Sequence, residues 1–252
     1  MKTIWITGGS SGIGFATAEI FLKNNWRVII SSSNIQKLED AKKRMNNKVS
    51  TNNLYILKCD ISLEDEVKKI ISKIENDIAK IDIALLNAAA YSPNKNQNFD
   101  IANYKLLLDV NLKGTLYCIN SLKDFMQGRD NIIAIVSSPI GYRGWPTSGA
   151  YGMTKAAQLN LAESLYFDFK KLNINVKVIN PGFIDTEATK LNSFKMPFLK
   201  SADFAAEKIY SGLVNKKNFE IFFPFFIVFI VKIMRILPYK IYFYIWKRLG
   251  NF

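Results

Sequence analysis

The 252-residue sequence contains no histidine. That absence excludes Ser-His-Asp hydrolysis, histidine-bound zinc and any imidazole acid or base. Cysteine is nearly as scarce, with Cys59 and Cys118 alone. With so few thiols and no apolar leader before the first predicted strand, no structural disulfide is expected and a reducing, cytoplasmic setting is. Uncharged apolar runs of the roughly 20 residues needed to span a bilayer are also missing. So is any long basic block, although 34 Lys+Arg against 21 Asp+Glu give a net charge of +13. The lysines are scattered over most predicted helices, which reads as a solvated surface and predicts no nucleic-acid partner. A basic surface still favours phosphorylated cofactors and anionic lipid.

What is plentiful is core-forming material: 49% of residues are hydrophobic, in a length that one core can support. Residues 2–7 form a short apolar run into a glycine turn, 15–24 read as an amphipathic helix and 26–31 as a buried strand. The rhythm repeats, with strands at 54–60, 81–87, 132–137, 174–179 and 219–223. The intervening helices are read at 35–45, 64–74, 104–126, 150–171 and 202–214. Apolar strands separated by helices predict an α/β fold: a single-domain, doubly wound parallel sheet of the Rossmann type, helices on both faces, ligands at the carboxyl ends of the strands. This domain is read as residues 1–223. Residues 224–252 differ, with an apolar stretch at 225–231, Pro238 as a break, and an aromatic-rich segment at 239–249. Lys232, Arg235, Lys240, Lys247 and Arg248 accompany them. Three roles are open to such a basic, apolar helical tail: a peripheral membrane contact, a lid on the substrate mouth, or a subunit contact.

In the turn after the first strand, Gly8, Gly12 and Gly14 bring backbone N–H groups and a helix N-terminus toward a pyrophosphate. The turn follows a predicted strand and opens a helix, the context that gives such glycines their meaning. Further along, Tyr151 and Lys155 are spaced for adjacent turns of one helix face, where an ammonium can lower a phenol's pKa and make it a usable acid or base. Ser138 lies upstream. Singly, each has an ordinary role: Ser138 as a strand cap, Tyr151 as a helix residue, Lys155 as a solvated charge, Asn111 as a helix polar group. Together with the cofactor turn they point to nicotinamide redox chemistry.

Thr7-Gly8-x-x-x-Gly12-x-Gly14, Asn87-Ala88-Ala89, Asn111, Ser138, Tyr151-x-x-x-Lys155 and Asn180-Pro181-Gly182 resemble, in order, the motifs of the short-chain dehydrogenase/reductase family. The resemblance covers residues 1 to about 223. It implies an oxidoreductase in which Tyr151 exchanges a proton with a carbonyl or alcohol oxygen as hydride moves to or from the nicotinamide. It further implies that Lys155 tunes the phenol and binds the nicotinamide ribose, that Ser138 donates to the substrate oxygen, and that Asn111 holds a water in a proton relay to Lys155. Thr7, Gly8, Ser10, Ser11, Gly12, Ile13 and Gly14 would then form the phosphate turn. Asp60 and Ile61 would contact adenine, Asn87, Ala88 and Ala89 would back the cofactor, and Pro181, Gly182, Ile184 and Thr186 would hold the nicotinamide. Two positions depart from the pattern: Ala89 stands where the family has glycine, and Met153-Thr154 where it has Ala-Ser. Neither carries a proton-transfer atom.

At the end of the second strand the run Ser31-Ser32-Ser33-Asn34 offers no carboxylate to repel a 2′-phosphate. Ser32, Ser33 and Asn34, with Lys37 nearby, therefore predict NADP(H) in preference to NAD(H). No metal is expected. Tyr142, Trp145, Met196 and Phe198, in the loops 139–148 and 183–201, are read as pocket walls for a small hydrophobic carbonyl or alcohol substrate. The family resemblance implies a homodimer or homotetramer, and the expected location is the cytoplasm, peripheral to the inner face of a membrane if the tail's role is docking there rather than a lid or subunit contact. A non-catalytic dinucleotide sensor or scaffold is the alternative.

Overall fold

The computed structural model describes residues 1–92, 99–192, 194, 196–215 and 218–250. Seven parallel strands form one sheet: β1 Thr3–Thr7, β2 Arg27–Ser32, β3 Leu54–Lys58, β4 Ile83–Leu86, β5 Asn131–Val136, β6 Ile174–Pro181 and β7 Glu220–Phe223, in the order β3-β2-β1-β4-β5-β6-β7. β1, β4 and β5 are buried along their whole length. A strand covered on both faces needs apolar side chains at odd and even positions alike, which is why TIWIT and NIIAIV do not alternate with charge.

Alternate residues feed two cores. Trp5, Ile29, Ala84, Ile133, Ile135 and Val178 pack on one face with Val67, Ile71, Cys118, Leu122, Leu159 and Phe169, from helices α3 Glu64–Lys73, α5 Gly114–Met126 and α6 Gly149–Lys170. Ile4, Ile6, Val28, Ile30, Leu85 and Ala134 pack on the other with Phe21, Leu38, Met45, Ala205 and Ile209, from α1 Gly12–Lys23, α2 Ile35–Asn46 and α7 Ala202–Val214. The strand order reverses between β1 and β4, and this opens a crevice above their carboxyl ends. Expected and observed elements agree in kind and order, with one refinement. The helical segments read over 104–126 are α4 Ile101–Leu107, a π-helical turn Leu108–Lys113, and α5.

After β7 come α8 Phe225–Ile236 and α9 Tyr239–Leu249. Val228 and Val231 join the first core. Arg143 donates from Nη1 to the carbonyls of Met234 (2.7 Å), Arg235 (3.1 Å) and Leu237 (2.6 Å), a cation on the carbonyl end of α8. Its guanidinium also lies 3.9 Å from the Tyr242 ring centroid. Tyr242 donates to the Gly144 carbonyl, and Trp145 packs against Trp246 with 5.5 Å between ring centroids. The tail is thus pinned to the loop 139–148, while most of its apolar side chains face outward. No helix among the described residues is long and apolar enough to cross a membrane.

Candidate active site

A cavity of about 600 Å³ runs along the carboxyl edge of the sheet. Its first wall is the turn from β1 to α1. Gly8 and Gly12 have φ of +67° and +53° there, values that favour glycine. A Cβ on Gly14 would lie 2.4 Å from the Gly8 carbonyl oxygen, so that glycine is required for helix and turn to meet. Thr7 Oγ1 accepts from the N–H groups of Asn87 and Ala88, each at 3.0 Å, and Asn87 Nδ2 donates to the carbonyls of Thr7 (3.0 Å) and Gly8 (3.2 Å). Thr7, Gly14 and Asn87 therefore hold the turn in shape, while Gly8, Ser10, Ser11, Gly12 and Ile13 line the cavity with Asn87 beside them.

The turn also fits a phosphate electronically. Asn34, Asp100 and Ser201 cap α2, α4 and α7 through their side chains, but Ser11, at the N-cap of α1, makes no such bond. The leading N–H groups of α1 are left to an anion, where the helix dipole favours one. Ser32, Ser33, Asp60, Ile61, Ala88, Ala89, Pro181, Gly182, Ile184 and Thr186 continue the lining. Asn34 does not line the cavity; its Oδ1 caps α2, accepting from Lys37 N at 3.0 Å. Nearby, Arg44 was not anticipated; it lies over Phe15 at 4.5 Å and donates to the Ser10 carbonyl at 2.8 Å.

The second wall carries the candidate chemistry. Ser138, Tyr151 and Lys155 all line the cavity. Ser138 Oγ accepts weakly from Ile140 N at 3.4 Å as it opens a short turn, which leaves its O–H to donate. Tyr151 packs edge-on against Tyr91, 4.8 Å between centroids. Burial, and secondarily Tyr91, push its phenol pKa up, so the group is protonated at neutral pH. Lys155 is 1% exposed, and burial brings its pKa down to about 7. Its ammonium lies 5.4 Å from the Tyr151 ring centroid and donates to Val136 O (2.8 Å) and Gln158 Oε1 (2.9 Å). The expected lowering of the phenol by Lys155 is not seen in this arrangement: burial dominates both groups. Cys59 also lines the cavity, but burial, with Glu66 and Asp60, raises its pKa to about 12 and keeps it a thiol.

Asn111 sits in the π-helical turn with no exposure, behind the cavity wall. Its side chain is bound to the backbone of residue 90, Oδ1 accepting from Ala90 N (2.7 Å) and Nδ2 donating to Ala90 O (3.0 Å), and to Thr154 Oγ1 (3.1 Å). Thr154, one of the departures from the family pattern, is thereby a support for Asn111.

At the substrate end the structure redraws the expected pocket. Trp145 lines it; Tyr142, Met196 and Phe198 do not. Tyr142 is turned under the tail, where it meets Glu220 and Asn180. Phe198 is half exposed and packs on Phe226, and Met196 takes a contact from Asn192. Tyr91, Leu106, Phe183, Phe194 and Ile227 form the apolar wall instead. Ile227 belongs to α8, so the tail supplies part of the pocket. Positions 193 and 195 of this loop lie outside the described residues. Among the described residues no cluster of acidic or thiol groups could hold a metal ion.

Residues 2–196 match the short chain dehydrogenase family, and the chain belongs to it. Members of this family are oxidoreductases that bind nicotinamide dinucleotides and typically act on small carbonyl or alcohol substrates. The chain is 33% identical over 194 residues to the 3-oxoacyl-(acyl-carrier-protein) reductase FabG of Rickettsia conorii, covering 76% of each. It is 31% identical over 193 residues to carbonyl reductase family member 4 of Xenopus laevis, covering 75% of this chain and 78% of that one. Among solved structures, ElxO with NADP bound is similar at a TM-score of 0.78 and 27% identity, covering 88% of this chain and 97% of its own.

Proposed function

We propose that this protein is an NADP(H)-preferring reductase or dehydrogenase that interconverts a carbonyl and a secondary alcohol on a hydrophobic molecule. The observation that carries this reading is the sharing of one cavity by the uncapped N-terminus of α1 and by Ser138, Tyr151 and Lys155. When bound, the dinucleotide supplies or accepts the hydride. The chain's own groups do the rest. Ser138 donates to the substrate oxygen and stabilises the charge that develops there. Tyr151, protonated at rest, gives its proton to that oxygen in the reductive direction and takes it back in the oxidative one. Lys155 spends two N–H donors on Val136 and Gln158 and keeps a third for the nicotinamide ribose. The carbonyl direction is supported by the names of the relatives, a 3-oxoacyl reductase and a carbonyl reductase.

The preference for NADP(H) rests on Ser32 and Ser33 in the lining where a repelling carboxylate is missing, and on Arg44 beside Ser10. Fluorescence titration of both cofactors tests it: tighter NADH binding would refute it, and Ser33→Asp should move the preference toward NAD(H). Purified protein with NADPH, offered 3-oxoacyl thioesters and carbonyls from a lipid extract, tests the activity. Cofactor binding with no oxidation on any of them would favour a non-catalytic dinucleotide sensor.

For the tail we propose docking on an anionic membrane surface. Phe225, Phe226, Phe229, Ile233, Ile236 and Tyr239 are exposed, mostly three or four positions apart, and residues 224–252 carry no Asp or Glu. Lys232 is taken by Glu220 and Arg235 lies 4.0 Å from Glu163, so Lys240, Lys247 and Arg248 are the cations offered to head groups. Flotation with anionic liposomes decides. Failure to bind at low salt, with a dimer or tetramer by light scattering, would make the same face a contact between copies of the chain.

A further inference from the structure

Gln158 lies on α6 three residues after Lys155 and seven after Tyr151, on the face that carries both, and is 1% exposed. A side-chain amide in such a place must have partners for its oxygen and both its N–H groups. It has them all. Oε1 accepts from Lys155 Nζ at 2.9 Å, and Nε2 donates to the Asn111 carbonyl at 2.7 Å and to Thr115 Oγ1 at 2.9 Å. The orientation is dictated, because the flipped amide would set NH2 against the ammonium and oxygen against the Asn111 carbonyl. Thr115 Oγ1 donates in turn to the same Asn111 carbonyl at 2.7 Å. A carbonyl oxygen has two lone pairs, and both are therefore in use.

We propose that Gln158 is a positioning residue that takes the place of the water expected between Asn111 and Lys155, holding the ammonium through a fixed amide link. The inference rests on Lys155 having the role given to it above. It changes what lies behind that lysine. A water there would conduct protons; a neutral amide does not. Gln158 instead makes a stiff strut from the π-helical turn to the ammonium, with Val136 O as the second support. The proton that restores Tyr151 after each reduction then reaches it from the cavity side, and the Asn111 turn serves as a mount.

The strut also bears on the charge of Lys155. Burial is the sole cause lowering its pKa. The charged groups on the elements packed against α6 include Lys105 of α4, Asp109 and Lys113 of the π-helical turn, Lys177 of β6 and Arg235 of α8, and none of them offsets that burial; Asp109 is occupied by Lys113 at 2.7 Å and Arg235 lies 4.0 Å from Glu163, two turns further along α6. Tyr151 and, behind it, Tyr91 are the neighbouring titratable groups, and both are neutral until high pH. The carbonyl oxygens of Gln158 and Val136 are thus what favours the ammonium over the amine.

The test uses the full chain labelled at lysine Cε, without substrate or cofactor, so its outcome is independent of any turnover. The Lys155 signal is the one lost in Lys155→Met and the one that titrates near neutrality. In Gln158→Met, which keeps length and volume, its midpoint should fall by about one pH unit, the tenfold change expected when one charge-assisted hydrogen bond is lost. In Gln158→Glu the midpoint should rise, since a carboxylate accepts from the ammonium more strongly. A merely structural amide would lower the thermal midpoint of Gln158→Met and leave the lysine titration where it was. If Gln158→Met does not fold, Gln158→Glu is read alone. A Lys155 midpoint unchanged in the folded variants overturns the proposal.

Discussion

The sheet body and the C-terminal tail depart from the usual partition of side chains in opposite senses. Between β1 and β7, apolar residues fill both cores, and beside the cavity polar groups are sealed inside: Asn111, Lys155 and Gln158 are each at most 1% exposed, and each is bonded. In α8 and α9 the exceptions are apolar groups turned out, with Ile236 80% and Tyr239 71% exposed. Apolar residues inside and polar ones outside carry little information; a buried charge or an exposed apolar face has to be explained by what it meets. The three polar groups of the body lie at or directly behind one wall of the cavity. Among the described residues most of the tail's apolar side chains are left uncovered, and the proposed docking rests on that face. The family match ends at residue 196, before the tail begins.

The comparison breaks most sharply at Tyr151. Tyr151→Phe should cost about 10²- to 10⁴-fold in turnover, the range for a lost general acid, while the cofactor dissociation constant changes little because the ring remains. Substantial residual turnover would mean that another group gives the proton. A similarly severe effect, on folding as well as on binding, is expected for Gly14→Ala. Its Cβ would meet the Gly8 carbonyl oxygen at 2.4 Å and Asn87 Nδ2 at 2.6 Å. Overpacking of this kind costs about 1–3 kcal/mol, and here it also pries open the phosphate turn. Gly144→Ala, with nothing within 4 Å of its Cβ, is the control. Equal melting midpoints for the two variants would show that the turn tolerates rearrangement.

How far these sites can be read without a structure follows the same division. The strands are legible because a sheet covered on both faces demands unbroken apolar runs. The motif residues are legible because their spacing is fixed by one turn or one helix face. The start of α1 at Gly12 is obscured by glycines of poor helix propensity, and the π-helical turn around Asn111 keeps a helical pattern of side chains while changing the backbone. Pocket walls are the least legible, because an aromatic residue in a loop does not declare which way it points. Tyr142 turns to Glu220 and Asn180, whereas Tyr91 and Phe194, equally ordinary in sequence, face the cavity. Gln158 did carry a signal: a polar residue in register with Tyr151 and Lys155 on a buried helix face.

The buried charge itself gives a pH-dependent prediction. Lys155 ordinarily titrates near 10.5 and in the folded protein near 7. Between those values the unfolded chain binds a proton that the folded chain does not, so this group makes the fold more stable as pH rises through the window and weighs fully against it below 7. Lys155→Met loses two hydrogen bonds at every pH but escapes the titration. Its melting midpoint relative to wild type should therefore improve as pH falls from about 10 toward 6. A constant difference across that range would mean that Lys155 keeps an ordinary pKa. In the tail, Ile233→Glu with Ile236→Glu should change stability by no more than about 0.5 kcal/mol, as exposed sites do, yet abolish liposome flotation. Undiminished flotation would remove the apolar face from the docking surface.

The smallest expected effect lies at the cofactor end, at Arg44. Its guanidinium is held over Phe15 and bonded to the Ser10 carbonyl, next to a cavity wall that includes Ser32 and Ser33. If the 2′-phosphate is recognised by this neighbourhood, Arg44→Ala removes one fixed positive charge from it. The charge is near solvent, so the loss is worth about 0.5–1 kcal/mol, a two- to fivefold weakening of NADPH. NADH lacks the phosphate and should bind as before. The two cofactors together distinguish the roles open to this residue. Weakening confined to NADPH makes Arg44 part of the phosphate site, whereas equal weakening of both shows that it only braces the turn through Ser10 and leaves the NADP preference to the serines alone.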